Sequence, residues 1–307
     1  MNILVLGSAA GGGLPQWNCA CSNCRRARAG DPHVRARTQA AIAVSADGGG
    51  WFVINATPDL RQQIALTPQL HPREQPRHSP LAGVLLTGSE VDQIAGLLTL
   101  REGQPLALYA TGEVHAILDA NPVFEALKRG TVDRRPVALG AAVELQDRDG
   151  KPSGLQVELF SVPGKIPLYL EGDLAPAAMR GAEGDTVGVE ISMGRKRALY
   201  VPGCARLTPA LLQRMEGADL LLFDGTLWAD NEMIDQGLSE KTGRRMGHIS
   251  ASGPDGSIAA LADARIVRKV FIHVNNSNPL LDDSSAQRAE ARAAGWEVAF
   301  DGQEFVL

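Results

Sequence analysis

Leu85-Leu86-Thr87-Gly88-Ser89-Glu90-Val91-Asp92-Gln93-Ile94-Ala95-Gly96-Leu97 is the stretch that decides the fold. Its apolar start, at 83–86, reads as a buried strand. Ile94, Leu97, Leu98 and Arg101 then recur at i, i+3, i+4 spacing on a helix predicted over 92–101. The short loop between strand and helix carries acids and an amide (Glu90, Asp92 and Gln93), with no histidine among them. Polar groups held between two apolar elements mark a place where a rigid scaffold presents chemistry.

Outward from there, short β-prone runs alternate with helical patterns along the whole chain. Strands are predicted at 2–6, 41–45, 51–55, 106–109, 137–139, 143–146, 155–161, 187–192, 198–201, 219–223 and 269–273. Helices are predicted at 113–119, 122–128, 208–215, 254–263 and 284–294. Asp47-Gly48-Gly49-Gly50 joins two strands as a hairpin turn, and Asp59 is expected to cap a helix ending near Leu66. Residues 297–300 and 304–307 are expected to close as a terminal hairpin around Asp301-Gly302. Pro163, Pro167 and Pro176 fall within 162–185, read as a lid-like insertion. No composition break marks a linker, so 1–307 is expected to form a single domain.

Composition narrows the function classes. The chain has 307 residues, 44% hydrophobic and 21% charged, enough to bury a sizeable core and unlike a disordered chain. A net charge of −5 argues against a nucleic-acid partner. No apolar run approaches the roughly 20 residues of a membrane helix. The first strand is too short, and too poor in positive charge, for a secretory signal, so a cytoplasmic location is expected. The oligomeric state is not legible.

Cys19-Ala20-Cys21-Ser22-Asn23-Cys24 places three thiols within six residues, straight after Gly11-Gly12-Gly13-Leu14-Pro15. Soft sulfur ligands packed this densely suit a tetrahedral structural zinc whose fourth ligand comes from elsewhere. Cys204 is expected to be buried, as are at least two of Trp17, Trp51, Trp228 and Trp296. Of the six histidines, His33, His71, His78 and His115 are read as loop or surface residues. His273 ends the apolar run Val270-Phe271-Ile272, and His248 follows Met246-Gly247 ahead of a capped helix. The glycines at 7–13 lack G-x-G-x-x-G spacing, and no Gly-Lys-Ser/Thr follows, so tight backbone packing is expected there rather than phosphate binding.

The opening stretch has the frame T-H-x-H-x-D-H-x-x-G-L of the metallo-β-lactamase superfamily, with Gly88, Glu90 and Gln93 at the histidine positions and only Asp92 retained. The glycine loop, the C-x-C-x-x-C run and the ending Trp296-Glu297-Val298-Ala299-Phe300-Asp301-Gly302-Gln303-Glu304 resemble its phosphoribosyl cyclic phosphodiesterase branch. Blocks across the whole chain resemble the coenzyme PQQ synthesis protein B family more closely. They are Leu6-Gly7-Ser8-Ala9-Ala10-Gly11-Gly12-Gly13, Pro15-Gln16-Trp17-Asn18-Cys19, Asp224-Gly225-Thr226-Leu227-Trp228, Gly247-His248 and His273-Val274-Asn275-Asn276-Ser277-Asn278-Pro279. The resemblance implies an α/β, four-layer αββα metallo-β-lactamase fold. It also places Asn276 where the phosphodiesterases keep the fourth ligand of their zinc.

For function, the resemblance implies a step in pyrroloquinoline quinone (PQQ) biosynthesis: iron- and O₂-dependent hydroxylation of the tyrosine ring of a Glu–Tyr unit cut from a precursor peptide, in company with other proteins of that pathway. A mid-chain histidine is missing near Val162-Pro163-Gly164-Lys165, and a bridging carboxylate is missing at Gly203. A hydrolytic pair of metals around a bridging hydroxide therefore cannot assemble. Asp92, His248 and His273 remain, a set of two imidazoles and one carboxylate that suits non-haem Fe(II). Glu90 and Gln93 are expected to complete or tune that shell. Asp224 is either a catalytic neighbour or an acid that orients a ligand histidine. Arg61, Arg101, Lys165 and Arg245 are candidates to meet a diacid substrate. Two rival readings are a metal-dependent ester or phosphodiester hydrolase, and a carrier that binds finished PQQ without turnover.

Overall fold

Residues 3–6 are apolar at every position because the fold buries both faces of the strand they form. The computed structural model describes residues 1–73, 75–172 and 184–307. In β1 (Asn2–Gly7), Ile3 and Val5 point into a layer between two sheets, whereas Leu4 and Leu6 pack outward beneath helices. β2 (Ala41–Ser45) and β3 (Trp51–Ile54) split the same way, with Ile42, Val44, Phe52 and Ile54 inward and Ala43, Trp51 and Val53 outward. Strands covered on both faces read as continuous apolar runs.

The remaining strands are β4 (Leu81–Leu85), β5 (Leu106–Ala110), β6 (Val132–Pro136), β7 (Ala142–Gln146), β8 (Pro152–Ser161), β9 (Val187–Met193), β10 (Lys196–Val201), β11 (Leu220–Asp224), β12 (Arg268–Ile272), β13 (Trp296–Val298) and β14 (Glu304–Val306). They form two seven-stranded sheets, β14-β1-β2-β3-β4-β5-β6 and β13-β12-β11-β10-β9-β8-β7. β3 to β6 are parallel, and so are β10 to β13; the other pairs are antiparallel. Val157, Leu159, Val189, Tyr200, Leu222, Val270 and Ile272 supply the second sheet's side of the shared core. Leu60, Leu97, Val114 and Leu118 cover the outer face of the first sheet, and Leu211, Met215 and Ala291 that of the second. Helix, sheet, sheet, helix gives four layers. Trp51, Trp296 and Cys204 are buried, as expected.

Several sequence expectations need correction. The end of the chain is no hairpin: β13 extends the second sheet and β14 crosses to pair with β1 in the first. Asp301 in the crossing accepts bonds from the Thr38 amide (2.6 Å) and from Ser8 Oγ (2.8 Å), which are long-range partners that no local turn signal encodes. The edge strand β6 lies at Val132–Pro136, with half-exposed Asp133, Arg134 and Arg135, rather than at 137–139. The helix after β4 is one turn, Val91–Ile94, continued by a 3₁₀ stretch, Ala95–Glu102. The predicted helix over 254–263 shrinks to Ser257–Ala260. Asp59 caps nothing with its side chain; Oδ2 instead takes the amide and Nε2 of Gln39. His115 is a core residue, 8% exposed, whose basicity is lowered by burial. Of the segment read as a lid, 162–172 and 184–185 are described, and 173–183 lie outside the described residues.

Candidate metal centres

The polar residues gather where the parallel strands end, the edge at which open α/β sheets present ligand sites. β4 runs into the loop carrying Glu90 and Asp92, β11 ends on Asp224, and β12 delivers His273 one residue past its last paired position. The loop after β1 is stitched to both sheets: Ser8 and Ala9 amides donate to Thr38 O, and Ala10 N to Val274 O. Gly11 lies against Asp92; a methyl group there would sit 3.4 Å from the carboxylate, so the loop walls the site closely. A one-turn helix, Gly243–Met246, stops at Gly247 with φ +88, a left-handed conformation that glycine adopts without strain and that launches His248. His273 itself has φ +58, rare for a residue with a side chain and informative where it coincides with a polar cluster. A cleft of about 740 Å³ opens onto these residues.

Hydrogen bonds fix which ring nitrogens face the cleft. Asp224 is fully buried, and four donors reach it: Cys204 N and His248 Nδ1 at Oδ2 (both 2.8 Å), Thr226 N and Thr226 Oγ1 at Oδ1 (3.0 and 2.7 Å). Thr226 has one hydroxyl proton, and the carboxylate is its closest acceptor. Its oxygen must then accept from His273 Nδ1 at 2.8 Å. We assign both imidazoles the Nδ1–H form on that account, which leaves Nε2 unprotonated on each. The rings stack, with centroids 5.3 Å apart and planes 22° from parallel.

His273 Nε2 then faces Asp92 Oδ2 at 3.1 Å. Two buried acceptors at that distance demand a cation between or beside them, either a proton or a metal. Burial opposes the Asp92 charge; with a proton on His273 Nε2, the hydrogen bond and charge of that ring outweigh burial and hold the carboxyl below its ordinary range. Burial likewise opposes a charged His273, while Asp92 beside it raises its basicity. For Asp224, burial is overcome by His248, His273 and the Thr226 hydroxyl, and its acidity too is strengthened. Atoms of Asp224, His248 and His273 also lie within 4.8 Å of one another. On the Nδ1 side, however, Thr226 Oγ1 already occupies the middle. That leaves His273 Nε2 facing Asp92, with the stacked His248 ring beside it and Asp224 orienting His248 from behind.

Glu90 and Gln93 line the cleft but are committed elsewhere. Gln93 Oε1 accepts from the Glu90 amide (3.1 Å) and its Nε2 donates to Thr87 Oγ1 (3.3 Å). The Glu90 carboxylate takes Lys165 Nζ (2.9 Å) and the Leu168 amide (3.2 Å). Gly164, Lys165 and Gly203, which stand at the missing-ligand positions, all line the cleft. Of the cations considered for substrate, Lys165 lines it and Arg245 lies beside it, whereas Arg61 and Arg101 are exposed and do not. No role was read for Thr226 from the sequence, although it lies in the block Asp224-Gly225-Thr226-Leu227-Trp228.

The second centre is built by the loop and helix that follow the glycines. Cys21 precedes the helix Ser22–Arg28, and the sulfurs of Cys19, Cys21 and Cys24 lie within 4.8 Å of one another. Burial pushes the Cys21 thiol up to about 12, while hydrogen bonds from Cys21, Cys24 and Asn276 outweigh burial at Cys19 and lower it. Asn276 arrives from the run after β12, its side-chain amide 3.2 Å from Cys24 Sγ and 3.8 Å from Cys21 Sγ. Three thiols fit a soft tetrahedral ion, while the Asn276 amide nitrogen that faces them donates N–H to the sulfurs. Asn23 ties the arrangement down by donating to Asn276 O (3.0 Å) and Asn278 O (2.9 Å).

Comparison with known proteins places these centres in context. A family model described as a beta-lactamase superfamily domain matches residues 50–274. The chain is 56% identical over 302 residues to coenzyme PQQ synthesis protein B of Gluconacetobacter diazotrophicus, and 54% identical over 304 residues to that of Methylorubrum extorquens, covering 98% of each chain in both cases. Among solved structures it is similar to Zn(2+)-bound PqqB from Methylobacterium extorquens, with a TM-score of 0.95, 53% identity and full coverage of both chains. A diphosphatase of the PhnP family, at 21% identity, TM-score 0.66 and coverage of 99% and 96%, shares the fold.

Proposed function

The chain belongs to the coenzyme PQQ synthesis protein B family within the beta-lactamase superfamily and acts in the synthesis of that coenzyme, and we propose that its step is the iron- and O₂-dependent hydroxylation of the tyrosine ring of a Glu–Tyr intermediate. One observation carries the reading. His248 Nε2, His273 Nε2 and Asp92 face the cleft as a set of two imidazoles and one carboxylate, held by Thr226 and Asp224 from behind. Among the described residues no further histidine lines the cleft, and Gly203 puts no bridging acid there. That set suits a single ion with open positions rather than the paired ions of a hydrolase.

Fe(II) bound by these three residues would supply one-electron chemistry with O₂. The protein's own contribution is arrangement. Asp224 and Thr226 hold the Nδ1 sides of both rings. The glycine loop walls the cleft beside Asp92, and the cleft volume suits a dipeptide-sized molecule. In the overall change an aryl C–H becomes C–OH with one oxygen atom from O₂. The second atom leaves as water, using two electrons from an external reductant and the protons that accompany them. The structural role of zinc at Cys19, Cys21 and Cys24, with Asn276 at the fourth position, belongs to the same proposal. It is supported by the sulfur cluster and by the zinc-bound relative.

The test is oxygen uptake by anaerobically prepared, Fe(II)-loaded protein given Glu–Tyr and ascorbate, with mass spectrometry of the product. A gain of one or more oxygen atoms, abolished in Asp92→Ala, is expected. Iron demonstrably bound with neither oxygen uptake nor oxygenated product would overturn the reading and leave the carrier in its place.

A further inference from the structure

Glu171 is an unusual carboxylate. It sits on the single turn Leu168–Glu171 above the cleft, and its side chain is only 7% exposed. Three cations surround it: Lys165 Nζ at 3.0 Å, Lys241 Nζ at 3.4 Å and Arg245 Nη2 at 3.5 Å. They come from separate parts of the chain, and the fold does not need them together for its core. Lys165 also pairs with Glu90 at 2.9 Å and packs against Gly247, so it touches the loop before Asp92 and the loop before His248. Lys165 and Lys241 line the same cleft as the two imidazoles. Three cations converge on one carboxylate beside the reacting centre, an arrangement suited to gripping a carboxylate of any origin.

We propose that Lys165, Lys241 and Arg245 form the carboxylate-binding subsite of this cleft, and that Glu171 occupies it as a built-in stand-in which an acidic substrate displaces. The proposal rests on the reading above that the substrate carries carboxylates, and it names the residues that recognise them. Exchange of one carboxylate for another leaves the three cations paired throughout, so the desolvation cost of unpaired buried charge is avoided. It also gives selectivity, because a neutral analogue that replaced Glu171 would leave the three cations with one carboxylate fewer.

The sign of one substitution tests the idea. Titration calorimetry would follow PQQ, a tricarboxylate, binding to the full-length protein as purified and without added iron. In Glu171→Gln the internal competitor loses its charge, and PQQ should bind on the order of tenfold more tightly than to the unaltered chain. Lys241→Gln should bind on the order of tenfold more weakly, and raised salt should shrink both effects. Unchanged or weakened binding in a folded Glu171→Gln would overturn the exchange. If that variant fails to fold, unchanged PQQ affinity in Lys241→Gln, a partly exposed position, does the same, as does absence of binding to every form. The readout needs no turnover. A failed hydroxylation assay with tightened binding sinks only the proposed reaction, and intact oxygen uptake without tightening sinks only the subsite.

Discussion

Replacing Thr226 with valine keeps the shape of the side chain and removes one oxygen atom from behind the two imidazoles of the candidate iron site. That atom lies 2.7 Å from Asp224 Oδ1, 2.8 Å from His273 Nδ1 and 3.1 Å from His248 Nδ1, and Asp224 is fully buried. The variant takes one of two donors from Asp224 Oδ1, which keeps the Thr226 amide, and leaves the His273 Nδ1–H without its acceptor. Hydrogen bonds to charged groups contribute about 1.5–3 kcal/mol each. The expected loss of stability is therefore about 3 kcal/mol, or roughly 5–10 °C in melting temperature for a chain of this size. Free to rotate or change tautomer, His273 should hold a divalent ion about 10- to 100-fold less tightly, the usual cost of losing a partner behind a ligand histidine. Chelator competition on Fe(II)-loaded protein measures the affinity, and Thr226→Ser, which restores the hydroxyl, should recover most of it. A Thr226→Val protein with metal affinity within twofold of the parent would refute the assignment of Thr226 as the group that fixes both rings.

Three other outcomes are expected. Cys21→Ser should lower the melting temperature and the zinc content together, because a structural ion contributes folding free energy directly; unchanged values for both would remove the zinc assignment. His273→Ala should abolish binding at the His248–Asp92 centre while elemental analysis still finds about one zinc per chain. Burial pushes the Glu232 carboxyl up to about 7, above its ordinary 4.5, although Ser277 Oγ and the Trp228 amide donate to it. An acid raised in the folded state gives stability that is complete below pH 4.5 and declines as pH climbs through 7, at about 1.4 kcal/mol per unit. Glu232→Gln should therefore flatten the stability profile between those limits, and superimposable urea-unfolding profiles for the two proteins would contradict this.

Much of the scaffold was legible because a two-sided core leaves a local trace. Runs such as Asn2–Gly7 and Leu220–Asp224 are apolar at nearly every position and can belong only to covered strands. Elements whose stability comes from distant partners left no such trace. The half-exposed strand Val132–Pro136 is polar because it is an edge, and the turn at Asp301-Gly302 looked local although Asp301 is held by Ser8 and Thr38. The site was legible in the same uneven way. His248, His273 and Asp92 stood out by type and position; His273 lies against Asp92 and stacks on His248. Gln93 and Glu90 matched a motif frame, yet their side chains are spent on each other's backbone, on Thr87, on Lys165 and on Leu168. Glu171 and Lys241 could not be read, since only the folded chain brings residues 70 apart into one pair.

The run from His273 to Asn278 touches both candidate centres. Its first residue offers Nε2 to the cleft, Asn276 reaches the cysteine sulfurs three residues later, and Asn278 ties back to the carbonyls of Gly225 and Thr226. On the proposed metal assignments, the two ions would be thermodynamically linked ligands. If zinc at the cysteines orders this run, part of the entropy of placing His273 is spent before iron arrives. Reciprocity requires that iron strengthen zinc by the same factor. A cell short of zinc would, on this account, hold a chain with an intact cleft and a weakened grip on iron.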